Sequence, residues 1–228
     1  GLVAEQRAFA GDASHQLRTP LTALRLQLER TAALVEDDPA GARRNLEAAT
    51  EETARLQRLI DGLLMLARND TAQPSERHAI DVSAIVADRV ASWEPLAEER
   101  GVALTASVGP TPAVLAAAGS LEQILDNYLD NAIEVAPPGS AVEVHVVPAG
   151  TTVTVHVLDR GPGLKAEQRE RAFERFWRAP DAGPDGSGLG LTIVARLAEA
   201  SGATVALAGR AGGGVDATVT LTVAPTVR

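Results

Sequence analysis

Four groups of residues in this sequence have the types and spacing to do chemistry. The first is a histidine in the stretch SHQLRTPL, residues 14–21. Around it the apolar or small residues Phe9, Ala13, Leu17, Leu21, Leu24, Leu28, Ala32 and Val35 recur at steps of three or four, the mark of one buried helical stripe. His15 stands two residues, about 200° of helical rotation, from both Ala13 and Leu17, so it points away from that stripe. An exposed neutral imidazole is a nucleophile near pH 7. Thr19 shares its face one turn later. Pro20 has no N–H and crowds the carbonyl of Gln16, so a bend is expected just beyond the histidine, at a cost of about 3 kcal/mol.

The other three groups lie far downstream. In DNYLDNAIE, Asn127 and Asn131 are one helical turn apart on one face, and neutral amide oxygens suit a hard cation held between protein and phosphate. In LDRGPG, Asp159 ends a strand, and Gly161 and Gly163 let the backbone approach a flat ligand. A carboxylate there can accept a hydrogen bond from the exocyclic amine of a base. In GSGLGL, Gly186, Gly188 and Gly190 lead into a helix, where backbone N–H groups suit phosphate. The last run lacks the spacing and the preceding βαβ unit of a dinucleotide-binding fingerprint. Each cluster alone is also a common surface or turn feature. Their order, after a helix with an exposed histidine, is what singles them out.

The elements that must position these groups divide the chain near residue 70. A first helix is expected up to about Glu36. After the turn residues Asp37, Asp38, Pro39 and Gly41 comes a second helix, with a stripe of Leu46, Ala49, Thr53, Leu56, Ile60, Leu63 and Ala67. Two helices bury too little surface alone, so this hairpin is expected to pair with a second copy into a four-helix bundle. NDTAQPSER reads as a linker. Beyond it the sequence predicts a short strand in HAIDV, a helix from Ser83 to Arg100 capped by Ser83, and a strand in GVALTASV. A helix opened by a Ser120 and Gln123 capping box is expected to run to about Val135. AVEVHVV and TTVTVHVLD alternate as paired strands, and the helix LGLTIVARLAEAS precedes the strands ATVALAG and VDATVTLTV. Strands with helices on one face predict an α+β sandwich.

Composition narrows the function classes. With 228 residues and 45% hydrophobic content there is material for two cored domains. A net charge of −9 provides no basic stripe to neutralise a nucleic-acid backbone. Cysteine is absent, which excludes disulfides and thiolate chemistry. Only Lys165 among the 21 cationic side chains is a lysine, so phosphate contacts fall to guanidinium and backbone N–H groups. No apolar run of roughly 18 residues and no signal peptide occurs, so the chain is expected to be soluble. Its start at Gly1 without methionine reads as a piece excised from a longer protein.

With these residues in order, the chain resembles the cytoplasmic core of a bacterial two-component sensor histidine kinase over nearly its whole length. FAGDASHQLRTPLTAL is similar to the H box, which implies that His15 is the phosphoacceptor. DNYLDNAIEVAPPGS is similar to the N box, implying Asn131 as a Mg²⁺ ligand with Asn127 beside it. LDRGPG resembles the first glycine box, with Asp159 the adenine contact and Gly161 and Gly163 around it. GSGLGL resembles the second, with Gly186, Gly188, Leu189, Gly190 and Leu191 at the nucleotide. FERFWR resembles the F box of an ATP lid, with Phe173 and Phe176, and Arg178 at the phosphates. The resemblance implies a dimerisation and phosphoacceptor hairpin over residues 1–69, a linker over 70–79 and, over 80–228, an ATP-binding α/β sandwich of the gyrase, Hsp90, histidine kinase and MutL type. It also implies phosphoryl transfer from MgATP to His15 and onward to an aspartate of a response regulator receiver domain. The protein would be a homodimer, attached to the cell membrane only through segments upstream of Gly1, and would not bind nucleic acid.

The sequence departs from that family at two places. Gln16 stands where an acidic residue usually follows the phosphoacceptor, and an amide can orient an imidazole but not take its proton. Glu134 stands where the N box is usually basic. Both departures point to slow autophosphorylation. A phosphatase-biased protein and a non-enzymatic ATP-binding scaffold are therefore the alternative readings. Thr19 retains the polar residue that the family places to aim water in receiver dephosphorylation.

Overall fold

The structure is a computed structural model that describes Leu17, residues 20–69, 76–180 and 188–225. It divides into two compact units, Gly1–Arg68 and Asn69–Arg228. The first is a helical hairpin: α1, residues 20–34, and α2, Pro39–Asn69. Asp38 makes the turn. Its Oδ1 accepts from Gly41 N at 2.9 Å, and Pro39, which has no N–H to satisfy, fills the first helical position. Pro20, Ala42, Ala49 and Leu56 are buried. Leu21, Leu28, Val35, Leu46 and Ile60, all expected in a buried stripe, are exposed within one chain. Two helices cannot enclose both of their apolar faces.

The second unit is an α+β sandwich. Five strands, β2 (Ala103–Val108), β4 (Ala141–Ala149), β5 (Thr152–Leu158), β6 (Thr204–Gly209) and β7 (Val215–Thr222), form one sheet in the order β2-β4-β5-β7-β6. All its pairs are antiparallel except β2 with β4. Strict alternation on β4, β5 and β7 sends Val142, Val144, Val146, Val153, Val155, Val157, Ala217, Val219 and Leu221 to one face, all buried. Register aligns that stripe, with Val155 opposite both Val146 and Val219. Each fully buried valine contributes roughly 1.5–3 kcal/mol.

Helices α4 (Ser120–Val135) and α6 (Gly190–Ser201) cover this face, and α3 (Val82–Glu99) packs beside α4. On α4 the residues Leu121, Ile124, Leu125, Tyr128, Leu129, Ala132 and Ile133 are buried, a wide stripe at helical spacing. Tyr128 Oη donates to Thr218 O at 2.9 Å, tying the helix to β7.

Several local expectations are corrected. Asp81, not Ser83, caps α3: its Oδ1 accepts from Ser83 N at 2.9 Å and Ala84 N at 3.1 Å. The Ser83 hydroxyl instead meets Thr111 Oγ1 at 2.7 Å. Ser120 and Gln123 form no capping box, because Gly119, left-handed at φ 72°, precedes the helix. Ser120 Oγ donates to Ala117 O at 2.7 Å and accepts from Ser201 Oγ at 2.7 Å, a buried chain joining α4 to α6. A strand, β3 (Val114–Ala117), lies where none is expected and pairs antiparallel with β1 (Arg77–Ile80). A short helix, α5 (Ala166–Arg171), is likewise unexpected.

Replacing Asp81 by Ala should lower the stability of the second unit by about 1 kcal/mol, the usual cost of losing a helix cap, whereas Asp81→Asn should retain most of it. Both tryptophans, Trp93 and Trp177, lie in that unit, so urea unfolding followed by their fluorescence measures it.

Candidate functional site

The alternation that buries Val153, Val155 and Val157 carries on past the end of β5 to Asp159, which is therefore drawn to the apolar face and is 5% exposed. Asp159 N donates to Val215 O at 3.0 Å, extending the pairing with β7 by one residue. Its Oδ1 accepts from Gly161 N at 2.7 Å. Burial pushes the Asp159 carboxyl above the ordinary carboxylate value, while the N–H groups of Gly161 and Val215 and the charge of Arg210 pull it back. A buried carboxylate so placed is an acceptor directed by its surroundings.

The loop after Asp159 depends on glycine for space. A Cβ on Gly161 would stand 2.7 Å from Val135 Cγ2 and 3.0 Å from Val135 O, so only glycine lets the loop lie against the end of α4. Gly163, at φ 74°, comes similarly close to the Gly214 carbonyl.

Farther back along α4 the two asparagines meet the start of α6. A Cβ on Gly190 would lie 2.9 Å from Asn127 Oδ1 and 3.7 Å from Asn131 Nδ2. Asn127 Nδ2 donates to Gln123 O at 2.8 Å, so the amide is turned with its oxygen toward Gly190. Asn131 is exposed. The N-cap residue of α6, Leu189, makes no side-chain cap, and the first turn of a helix is where backbone N–H groups can receive an anion. Leu189, just before the helix, is buried, and Leu191 is half-buried. From Asn127 to Val135 is eight residues of helix, about 12 Å. The polar start of α6 and the Asp159 loop thus lie along one helix at a separation that suits an elongated ligand.

Beside α6 the turn 172–177 is locked to the same place. Thr192 Oγ1 donates to Phe173 O at 3.1 Å and Phe176 N to Gly188 O at 2.9 Å. Gly188, at φ 68°, approaches so closely that a Cβ would be 2.8 Å from Phe176 Cα. Phe176 itself holds φ 61°, an uncommon conformation for an aromatic residue. Arg178 follows, half-buried.

Asn127, Asn131, Gly188, Leu189 and Gly190 are thus gathered at one end of the site, and Asp159, Gly161 and Gly163 at the other. His15, Gln16, Thr19 and Gly186 lie outside the described residues. The sequence reading missed Val135, Thr192, Arg210 and Gly214, of which only the glycine run at 212–214 leaves a mark in the sequence. No group of three or more His, Asp or Glu side chains among the described residues could hold a metal.

Comparison with known proteins gives matches on both units. Residues 5–72 match the His Kinase A (phospho-acceptor) domain, and residues 116–225 the Histidine kinase-, DNA gyrase B-, and HSP90-like ATPase family. The chain is 35% identical over 210 residues to the probable sensor histidine kinase TcrY of Mycobacterium tuberculosis, covering 90% of this chain and 44% of that protein. It is 34% identical over 220 residues to the sensor protein QseC of Escherichia coli, covering 96% and 48%. The chain therefore spans less than half the length of these relatives. Among solved structures it is similar to full-length ShkA in complex with AMPPNP, with TM-score 0.68, 30% identity, and 96% of this chain and 47% of that one covered. The fold is also that of histidine kinase ThkA, solved in complex with response regulator protein TrrA, with TM-score 0.77, 20% identity, and 96% and 62% covered.

The raised Asp159 value has a consequence for stability. Between the unfolded and the higher folded value, the folded state holds a proton that the unfolded state has lost. Stability from this group is therefore present at low pH, falls as pH rises through the window, and stays reduced above it. Replacing Asp159 by Asn should raise the stability of the ligand-free second unit at neutral pH and flatten that part of the profile. Urea unfolding from about pH 4 to about pH 8 checks both.

Proposed function

This chain belongs to the sensor histidine kinase family, and from that premise we propose that it binds MgATP in its second unit and transfers the γ-phosphoryl group to His15. The observation that carries the proposal is the convergence of two glycine-dependent approaches on α4, that of Gly190 at Asn127 and Asn131 and that of Gly161, from the loop after Asp159, at Val135. In this reading the Asp159 carboxylate accepts from the base amine. The start of α6 receives phosphate oxygens on its N–H groups, with Gly186, Gly188, Leu189, Gly190 and Leu191 around them. Arg178 supplies a guanidinium at the phosphates. The amide oxygens of Asn127 and Asn131 fit a hard cation that brings phosphate ligands with it, since neutral oxygens suffice where the nucleotide provides the charge. Mg²⁺ bound there would neutralise charge on the transferring group.

The transfer breaks the bond between the γ-phosphorus and the bridging oxygen and forms a P–N bond to one imidazole nitrogen of His15. ADP leaves, and the proton on the other ring nitrogen is lost. Gln16 can hold that N–H through its amide oxygen but cannot accept the proton, so loss to water is the slow element. The phosphoryl group then passes to a carboxylate oxygen of a response regulator receiver domain, breaking the P–N bond. In this reading the chain meets both ATP and such a partner in the cytoplasm.

The exposed stripe of the hairpin supports a homodimer. Leu21 on α1, Val35 just after it and Leu46 on α2 are 61%, 55% and 51% exposed, more than a helical hairpin would leave in water if nothing covered it. A second copy packed on this stripe completes a four-helix bundle. No helix among the described residues is long and apolar enough to cross a membrane, so any attachment would come from other segments.

His15→Ala should abolish acid-labile labelling from γ-labelled ATP while leaving calorimetric ATP affinity unchanged, because nucleophile and nucleotide site occupy different units. Labelled phosphate that persists in this variant would sink the assignment. Labelling absent from the unmodified chain, with ATP still bound and a phosphorylated receiver losing its phosphate faster, would identify a phosphatase-biased protein instead. Bound ATP with neither activity would leave a scaffold.

Gln16→Glu should add a proton acceptor beside the imidazole and speed autophosphorylation by ~10²-fold, at unchanged ATP affinity. The carboxylate would also stabilise the imidazolium and move the rise in rate to higher pH. Single-turnover rates of both forms across the neutral range measure the two effects. Equal rates and profiles would mean that the proton leaves by another route.

A further inference from the structure

Arg210, the residue that follows β6, keeps only 13% of its side chain exposed. Its two guanidinium nitrogens serve different partners. Nη1 donates to the Asp159 carbonyl at 3.2 Å, and Nη2 to Glu143 Oε1 at 2.5 Å. Glu143 lies on β4 directly opposite Leu158, the last residue of β5 before Asp159. Arg160 Nη2 approaches the same Glu143 oxygen at 3.6 Å, and His145 Nε2 stands 3.5 Å from the other. The Arg210 hydrogen bond holds the Glu143 carboxyl below the usual carboxylate range, so Glu143 is a carboxylate at neutral pH.

The backbone of Arg210 serves the same end. Arg210 N donates to Gly214 O and Gly213 N to Arg210 O, both at 3.2 Å, closing a turn in which Gly212, Gly213 and Gly214 all have positive φ. That turn presses onto the Asp159 carbonyl so tightly that a Cβ on Gly214 would collide with it. Asp159 has passed the last named residue of β5, and its carbonyl is gripped from β6 by Arg210 while Arg210 is itself anchored to β4. Three strands are thereby joined across the peptide that sets the direction of the Asp159 side chain.

We propose that Arg210 is a positioning residue for base recognition, holding the strand end that presents Asp159 through a guanidinium shared between the Asp159 carbonyl and the Glu143 carboxylate. This rests on the reading of Asp159 as the acceptor for the base amine. A planar two-pronged donor is required, because a lysine ammonium in the same place keeps the charge but cannot hold both oxygens at once.

The test compares calorimetric affinities of the whole chain for MgATP and for magnesium inosine triphosphate, which lacks the exocyclic amine. The unmodified chain should prefer ATP, and Asp159→Asn should abolish the preference. Arg210→Gln should weaken ATP by about tenfold, the loss expected from one misaligned hydrogen bond, with little change for inosine triphosphate. Arg210→Lys should fall between. Should Arg210→Gln fail to fold, as judged by tryptophan fluorescence, Arg210→Lys and Glu143→Gln carry the comparison, each with a reduced preference. An unchanged ratio in the Arg210 variants, or an equal loss for both nucleotides, alongside a collapsed ratio in Asp159→Asn, overturns the positioning role alone. An unchanged ratio in Asp159→Asn overturns the base contact and the positioning role with it.

Discussion

Leu121, Ile124, Leu125, Leu129 and Ile133 of α4 are buried over the valine stripe of the sheet, and this contact sets the rotation and height of a helix whose other edge carries the asparagines of the candidate site. Rotating α4 by one residue, about 100°, would bury an asparagine and expose a leucine, at a cost of several kcal/mol. The helix has one stable setting. In it Asn127 and Asn131 face the start of α6, and Val135 faces the Asp159 loop. Tyr128 fixes the setting by donating to the Thr218 carbonyl, and burial raises its hydroxyl so that it stays a neutral donor.

Around that fixed helix, other segments approach wherever a side chain is missing. Gly161 approaches Val135, Gly190 approaches Asn127, Gly188 approaches Phe176 and Gly214 approaches Asp159, each so close that a Cβ would force a shift. The contacts leave the polar edge of α4 lined by backbone on both sides. Backbone N–H groups cost no side-chain entropy to aim, which suits the recognition of phosphate and of a flat base. The Glu143, Arg160 and Arg210 cluster gives the Asp159 end of this arrangement an ionic anchor.

The hairpin obeys a different constraint. Its turn is well specified, with Asp38 capping α2 and Pro39 at the first position. Its apolar surface exceeds what two helices can hide, as the exposure of Leu21, Leu28, Val35, Leu46 and Ile60 shows. Surface left over in this way is the physical basis for association with a like hairpin.

The periodicities of the sequence were enough for the helical hairpin, for α4 and α6, and for β4, β5 and β7, because these elements carry long runs in which burial repeats every 3.6 or every 2 residues. They also placed Asn127 and Asn131 on one helical face, and Asp159 at a strand end before two glycines. Short elements were less legible. The four residues of β3 show no clear alternation, and α5 has no buried residue to betray it. Caps went astray for a related reason: Asp81, Ser83 and Ser120 all have capping chemistry, and only the chain's path decides which oxygen meets the free N–H groups. Tertiary structure alone joined Arg210 to Asp159 and Glu143 to Arg210, residues 51 and 67 positions apart, and set Gly190 against Asn127. Local sequence carries no information about such meetings, because they are fixed by sheet order and by the packing of α4 on the sheet, not by preferences within any one segment.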